Sequence, residues 1–158
     1  MNKFEIISQE QYYKDFTSEN FVKHSELKLP HRATAKSAGY DIYSITDVAL
    51  VPGETIKIPT GIKVQLDDDK FLAIVPRSSL GFKYRLQLDN TIGVIDADYY
   101  NNANNEGHIW IKVTNDGRVP MVVKKGEAIA QGIILQYFKA IDDDTTGERI
   151  GGFGSTNK

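Results

Sequence analysis

Two aspartates close an apolar run in "IGVIDADYYN" (92–101). Asp96 ends the run, and Asp98, two residues on, shares its face in an extended chain. A carboxylate at the end of a buried strand can act as a general base on water. Both acids could instead bind turn backbone, as Asx turns do, and spacing alone favours that alternative. Tyr99 and Tyr100 could stack on a ring or a sugar, although aromatics in β proteins more often pack. Three further stretches offer polar chemistry. "VPRSSLGFK" (75–83) leaves a strong strand with a guanidinium and two hydroxyls, groups able to cradle an anion or to make an ordinary turn. "SAGYDIYS" (37–44) sets Asp41 at a strand start, as a metal-side carboxylate or as a turn acid. "RIGGFGSTN" (149–157) joins Arg149, glycines, Phe153 and two hydroxyls. Glycines permit close backbone approach to a ligand and Phe can stack on a base, yet such tails commonly fray.

The elements that must hold these residues are short and β-like. "DIYSI" (41–45), "ETIKIP" (54–59), "GIKVQL" (61–66), "FLAIVP" (71–76), "HIWIKV" (108–113), "VPMVV" (119–123) and "AIAQGIILQYF" (128–138) alternate apolar and polar residues or run apolar throughout. The clusters "VPGE", "DDDK", "TNDG" and "KKGE" separate them, and "TIGVID" is strand-like as well. Many short strands with frequent turns predict an all-β sandwich or barrel. One short helix is expected within 9–20, read as a surface insertion, and a single helical turn within 78–86.

Composition removes several classes of function. A chain of 158 residues forms one domain with a sizeable core. Formal net charge is -2 and the pI is near 5.9, so nothing electrostatic points to nucleic acid. Without cysteine there is no disulfide, thiolate metal site or cysteine nucleophile. No apolar run approaches the ~20 residues of a membrane span, and the start lacks a signal-peptide core, so a cytoplasmic protein is expected. His24, His31 and His108 lie far apart and match no metal-ligand spacing, which makes them surface or packing residues. No phosphate loop, dinucleotide fingerprint or serine nucleophile elbow is present.

In order along the chain, "AGYDIYS", "PRSSLGFK", "GVIDADYYN", "GEAIAQGI" and "RIGGFGSTN" resemble the five motifs of the trimeric dUTP diphosphatases (dUTPases). The likeness runs from about residue 30 to the C-terminus. It implies an all-β, distorted jelly-roll (β-clip) subunit and a homotrimer whose active sites each draw on all three subunits. The implied reaction is Mg²⁺-dependent hydrolysis of dUTP to dUMP and pyrophosphate, which keeps uracil out of DNA and supplies dUMP. Asp96 would be the base on the attacking water. Asn90, with the backbone of Gly93, Val94 and Ile95, would read uracil, and Tyr99 would pack on the deoxyribose. Arg77, Ser78, Ser79 and Gln131 would hold the phosphates, and Asp41 would reach the metal through a water. Residues 1–148 would form the barrel and 149–158 a lid. In that lid Phe153 would cover the base while Arg149, Gly154, Ser155 and Thr156 would meet the phosphates.

Several positions depart from the commonest form of these motifs. Ser79 stands where Gly is frequent, and "DYYNN" where "DYRG" or "DYKG" is. Ala128 stands where Arg is frequent, and Arg149 lies four residues before Phe153 rather than five. A dCTP deaminase shares the fold but needs a glutamate near Asp96. A nucleotide-switched regulatory protein with a protein partner is the alternative outside enzymology, and the 9–20 segment is the feature that supports it.

Overall fold

The computed structural model describes residues 1–15, 20–147 and 149. Eleven strands and two short helices follow in order: β1 (Lys3–Ile6), α1 (Gln9–Asp15), β2 (Tyr40–Tyr43), β3 (Val48–Leu50), β4 (Thr55–Pro59), β5 (Ile62–Gln65), β6 (Lys70–Pro76), α2 (Ser78–Tyr84), β7 (Leu86–Leu88), β8 (Gly93–Asp96), β9 (Trp110–Asn115), β10 (Met121–Val123) and β11 (Ala128–Gln136). The all-β expectation holds. Each expected strand segment overlaps an observed strand, with ends that differ by one or two residues in several cases, and "TIGVID" contains β8. β1, β3 and β7 were not expected. Each is only three or four residues long and becomes a strand by pairing with a distant partner, β5, β10 and β9 respectively. The turn expected at 78–86 is longer than anticipated: α2 spans seven residues and stops where Arg85 adopts a left-handed conformation (φ 50°).

Local chemistry explains two of the tight turns. In both "VPGE" and "KKGE" the glutamate carboxylate accepts the N–H three residues earlier. The pairs are Val51 with Glu54 and Lys124 with Glu127, both at 2.8 Å. The intervening Gly53 and Gly126 take φ +85° and +86°, a region that glycine enters without steric cost. These turns lie between β3 and β4 and between β10 and β11.

Four antiparallel sheets result, with strand orders β2-β11-β6-β8, β4-β9-β7, β1-β5 and β10-β3. β6 lies between β11 and β8, and its middle residues Leu72, Ala73 and Ile74 are buried whichever way they point. β9 alternates cleanly, with Ile111, Val113 and Asn115 inward and Lys112 outward. One core gathers Ile42, Val48, Ile58, Leu72, Leu86 and Ile129 among others. A smaller one joins Ile7, Tyr12 and Ile45.

Helix α1 corrects the idea of a superficial insertion over its described part. Tyr12 is buried within the smaller core, and its hydroxyl donates to the Val22 carbonyl. Gln11 is also buried. Residues 16–19 of that segment lie outside the described residues. No helix among the described residues is long and apolar enough to cross a membrane.

Candidate active site

The tight turn Asp89–Ile92 joins β7 to β8 as a hairpin-shaped loop whose two arms pair with β9 and β6 rather than with each other. Thr91 turns the chain with φ 65°, and its N–H donates to the Leu88 carbonyl at 2.9 Å. Asp89 fastens the hairpin to β9. It accepts from the Thr114 hydroxyl at 2.6 Å and pairs with Lys112 at 2.9 Å, and those two contacts, in that order, lower its pKa. Gly93 begins β8 against β6, where a Cβ would sit 3.1 Å from the Ile74 Cβ. The glycine therefore lets β8 pair with β6 without crowding Ile74, its partner in the register. Between the hairpin and β9 opens a cleft of about 660 Å³.

This cleft collects Asn90, Gly93, Val94, Ile95, Asp96, Tyr99 and Arg149 from the sequence-predicted set. Asp96 ends β8 with its side chain half-exposed. Arg149 donates to Asp96 and also, through Nε, to Asp98 at 2.6 Å. Its guanidinium lies 6.0 Å from the Tyr99 ring centre. Burial opposes the charge on Arg149, but hydrogen bonding and charge from Asp98, followed by Asp96, outweigh it and raise its pKa. Arg149 was expected at phosphates; here it holds the two acids. Phe153, Gly154, Ser155 and Thr156 lie outside the described residues.

Tyr99 follows in a 3-10 turn of Ala97–Tyr99 and is only 7% exposed. Its hydroxyl donates to the His108 carbonyl at 3.1 Å and accepts from the Asn105 amide at 2.9 Å. His108 is fully buried, as a packing residue should be. Its Nε2 accepts the Gly61 N–H at 3.0 Å, so Nδ1 carries the proton that reaches Asp15 at 2.9 Å. Burial, opposed by Asp15, lowers the His108 pKa.

The phosphate-type residues lie elsewhere. Arg77, Ser78 and Ser79 are exposed where β6 passes into α2. The Arg77 N–H donates to the Ile129 carbonyl at 3.2 Å, which ties this corner to β11. On β11, Gln131 sits opposite Asp41 of β2 and donates to its carboxylate at 3.0 Å. β6 pairs its Phe71 with Asp96 at one end and its Pro76 with Ala130 at the other. Five residues at ~3.3 Å each separate the two groups by roughly 17 Å along the strand. One chain therefore holds the Asp96 cleft and the Arg77–Gln131 corner apart.

Sequence reasoning missed Lys57, Trp110, Lys112, Asn105 and Asp15. Lys57 lies 4.5 Å from the Trp110 ring centre, on the cleft wall facing the hairpin. Only the outward alternation of β4 and β9 could have flagged Lys57 and Lys112.

The chain is thus an all-β, jelly-roll-type protein with a cleft beside a half-exposed aspartate. The dUTPase family model matches residues 25–157. The deoxyuridine 5'-triphosphate nucleotidohydrolase of Lactococcus lactis subsp. lactis is 42% identical over 136 residues, covering 85% of this chain and 91% of the relative. The crystal structure of dUTPase from Streptococcus mutans superposes with TM-score 0.67 at 36% identity, covering 87% of this chain and 97% of that one. Staphylococcus bacteriophage 80alpha dUTPase, solved with dUPNHPP, shares the fold at TM-score 0.64 and 22% identity, covering 98% of this chain and 97% of that one. The chain belongs to the dUTPase family. Its activity is the hydrolysis of dUTP.

Proposed function

We propose that the chain works as a homotrimer in which the Asp96 cleft of one subunit meets the Arg77–Ser79 and Gln131–Asp41 corner of another. The observation that carries this reading is the separation of the two half-sites along β6. A nucleotide held by both needs its base in one and its triphosphate in the other. Asn90 and the backbone of Gly93, Val94 and Ile95 read the uracil edge, because amide groups match its mixed donors and acceptors. The thymine methyl has no room in a hairpin held so close to β6. Tyr99 packs on the deoxyribose and leaves no space for a 2'-hydroxyl.

Asp96 orients a water and takes its proton as the oxygen attacks the α-phosphorus. The new P–O bond replaces the bond to the bridging oxygen, and pyrophosphate leaves. Arg77, Ser78, Ser79 and Gln131 fix the phosphates for in-line attack, so that positioning and electrostatics supply most of the rate. Arg149 exchanges its two carboxylates for phosphate oxygens when nucleotide arrives. Phe153 covers the base, and Gly154, Ser155 and Thr156 complete the phosphate contacts from the C-terminal lid.

The donor set fits Mg²⁺ carried by the substrate. Among the described residues no group of three or more His, Cys, Asp or Glu could cage a metal. Mg²⁺ keeps several waters and takes one or two carboxylates beside phosphates, a role open to Asp41 through water. Bound there, Mg²⁺ would neutralise phosphate charge. Hydrolysis of dUTP in this way supplies dUMP and keeps uracil out of DNA.

The test is subunit mixing. Asp96→Asn and Arg77→Ala proteins, each inactive alone, are unfolded together, refolded and assayed for pyrophosphate release. Recovery of dUTP hydrolysis is expected, because some mixed sites receive an intact half from each chain. No recovery in mixed trimers would refute the shared site. Equal hydrolysis of dTTP by the unaltered protein would refute the hairpin reading, and ammonia release from dCTP would favour a deaminase.

A further inference from the structure

We propose that Asn105 is a positioning residue for sugar selection, acting through the Tyr99 hydroxyl. The inference rests on the reading of Tyr99 as the deoxyribose wall. A flat ring can exclude one added oxygen only if it cannot retreat, so whatever immobilises the ring sets the selectivity.

The ring borders the cleft while its hydroxyl points away from it into the protein. That hydroxyl has one proton to give and uses it on the His108 carbonyl; it accepts from the Asn105 Nδ2. Asn105 is itself saturated. Its Nδ2 donates to Tyr99 and, at 3.4 Å, to the His108 carbonyl. Its Oδ1 accepts from the Asn102 side chain at 2.8 Å and from the Gly107 N–H at 3.1 Å. Each amide atom has two partners, and reversing the amide would turn Nδ2 toward two N–H donors and Oδ1 toward the His108 carbonyl, so three of the four bonds could not re-form.

The surrounding loop is built to hold this arrangement. Asn101, Glu106 and Gly107 all take positive φ (54°, 58° and 81°), folding residues 101–107 back over Tyr99. A Cβ on Gly107 would lie 2.7 Å from the Tyr99 carbonyl oxygen. The His108 carbonyl is equally constrained, because the imidazole is held on one side by Gly61 and on the other by Asp15 of α1. The segment at 9–15 thus braces the wall of the cleft from behind.

The measurement is kcat/KM for dUTP, UTP and dTTP in the full-length protein, with melting temperature as a control. An apolar wall rejects an added hydroxyl by ~10²-fold, so loosening it should lower the dUTP:UTP ratio by roughly tenfold. Asn105→Ala should do this while leaving the dUTP:dTTP ratio within about twofold, since the hairpin that meets the 5-methyl is untouched. Tyr99→Phe keeps the ring, removes only the anchor, and should give the same loss. The double variant should lose no more than Tyr99→Phe alone, because both act through one hydroxyl.

An unchanged dUTP:UTP ratio in either single variant overturns the proposal, as do additive losses in the double. Equal falls in both ratios would mark a merely structural role and overturn it too. If the unaltered protein fails to distinguish dUTP from UTP, the deoxyribose reading falls and this inference with it. If Tyr99→Ala abolishes discrimination while Asn105→Ala and Tyr99→Phe keep it, only this inference falls.

Discussion

Replacing Asp96 with Asn separates catalysis from stability, and the structure sets both magnitudes. Asn keeps the shape of the side chain and removes its charge. The ion pair to Arg149 is lost, but Asp96 is half-exposed, and pairs of that kind contribute about 0–1 kcal/mol. Arg149 also keeps Asp98, whose carboxylate lies 2.6 Å from its Nε. The melting temperature should therefore fall by no more than about 2–4 °C, the shift expected for 1 kcal/mol in a chain of this size. Loss of a general base costs ~10²–10⁴-fold in rate, or about 2.7–5.4 kcal/mol of barrier. Nucleotide binding should persist, since removing a negative charge beside a triphosphate does not weaken attraction. Pyrophosphate release at saturating dUTP gives kcat, calorimetric titration with a non-hydrolysable analogue gives Kd, and scanning calorimetry gives the melting temperature. A kcat within tenfold of the unaltered protein, in a folded variant that binds nucleotide, would refute Asp96 as the base. A melting temperature lower by more than about 10 °C would refute the claim that its role is chemical rather than structural.

Three other perturbations probe different parts of the molecule. Asp41→Asn preserves an oxygen for Gln131, so the corner should stay folded while the Mg²⁺ concentration for half-maximal activity rises roughly 10–100-fold, read from a Mg²⁺ titration. Burial lowers the His108 pKa below its ordinary 6.5. The unfolded chain then binds the extra proton more readily, so stability is full above about pH 6.5 and declines as pH falls, by at most about 1.4 kcal/mol per pH unit. Urea unfolding at pH 7.5 and 5.5 should reveal that slope, and His108→Gln should flatten it. Gly107→Ala forces a side chain into φ +81° against the Tyr99 carbonyl and should destabilise the fold by about 1–3 kcal/mol in urea titration. An unchanged midpoint would mean that the loop can relax.

The interactions legible in the sequence were local ones. Alternation across "HIWIKV" marks β9 because strand side chains change face at every residue. "VPGE" and "KKGE" mark turns because a glutamate reaches back three residues over a glycine. Ordered motifs pointed to the family and put Asp96 at a strand end, where it lies. Strands as short as β3 and β7 could not be read, since three residues carry no periodicity and take their conformation from β10 and β9. Tertiary structure alone decided the rest. Asp15 and His108 are 93 positions apart in sequence, and Asp96 and Arg149 are 53 apart. No local propensity encodes such pairs. They exist because burying one apolar core brings distant backbone together, and the same packing sets Asp96 at one end of β6 and the phosphate-type residues at the other.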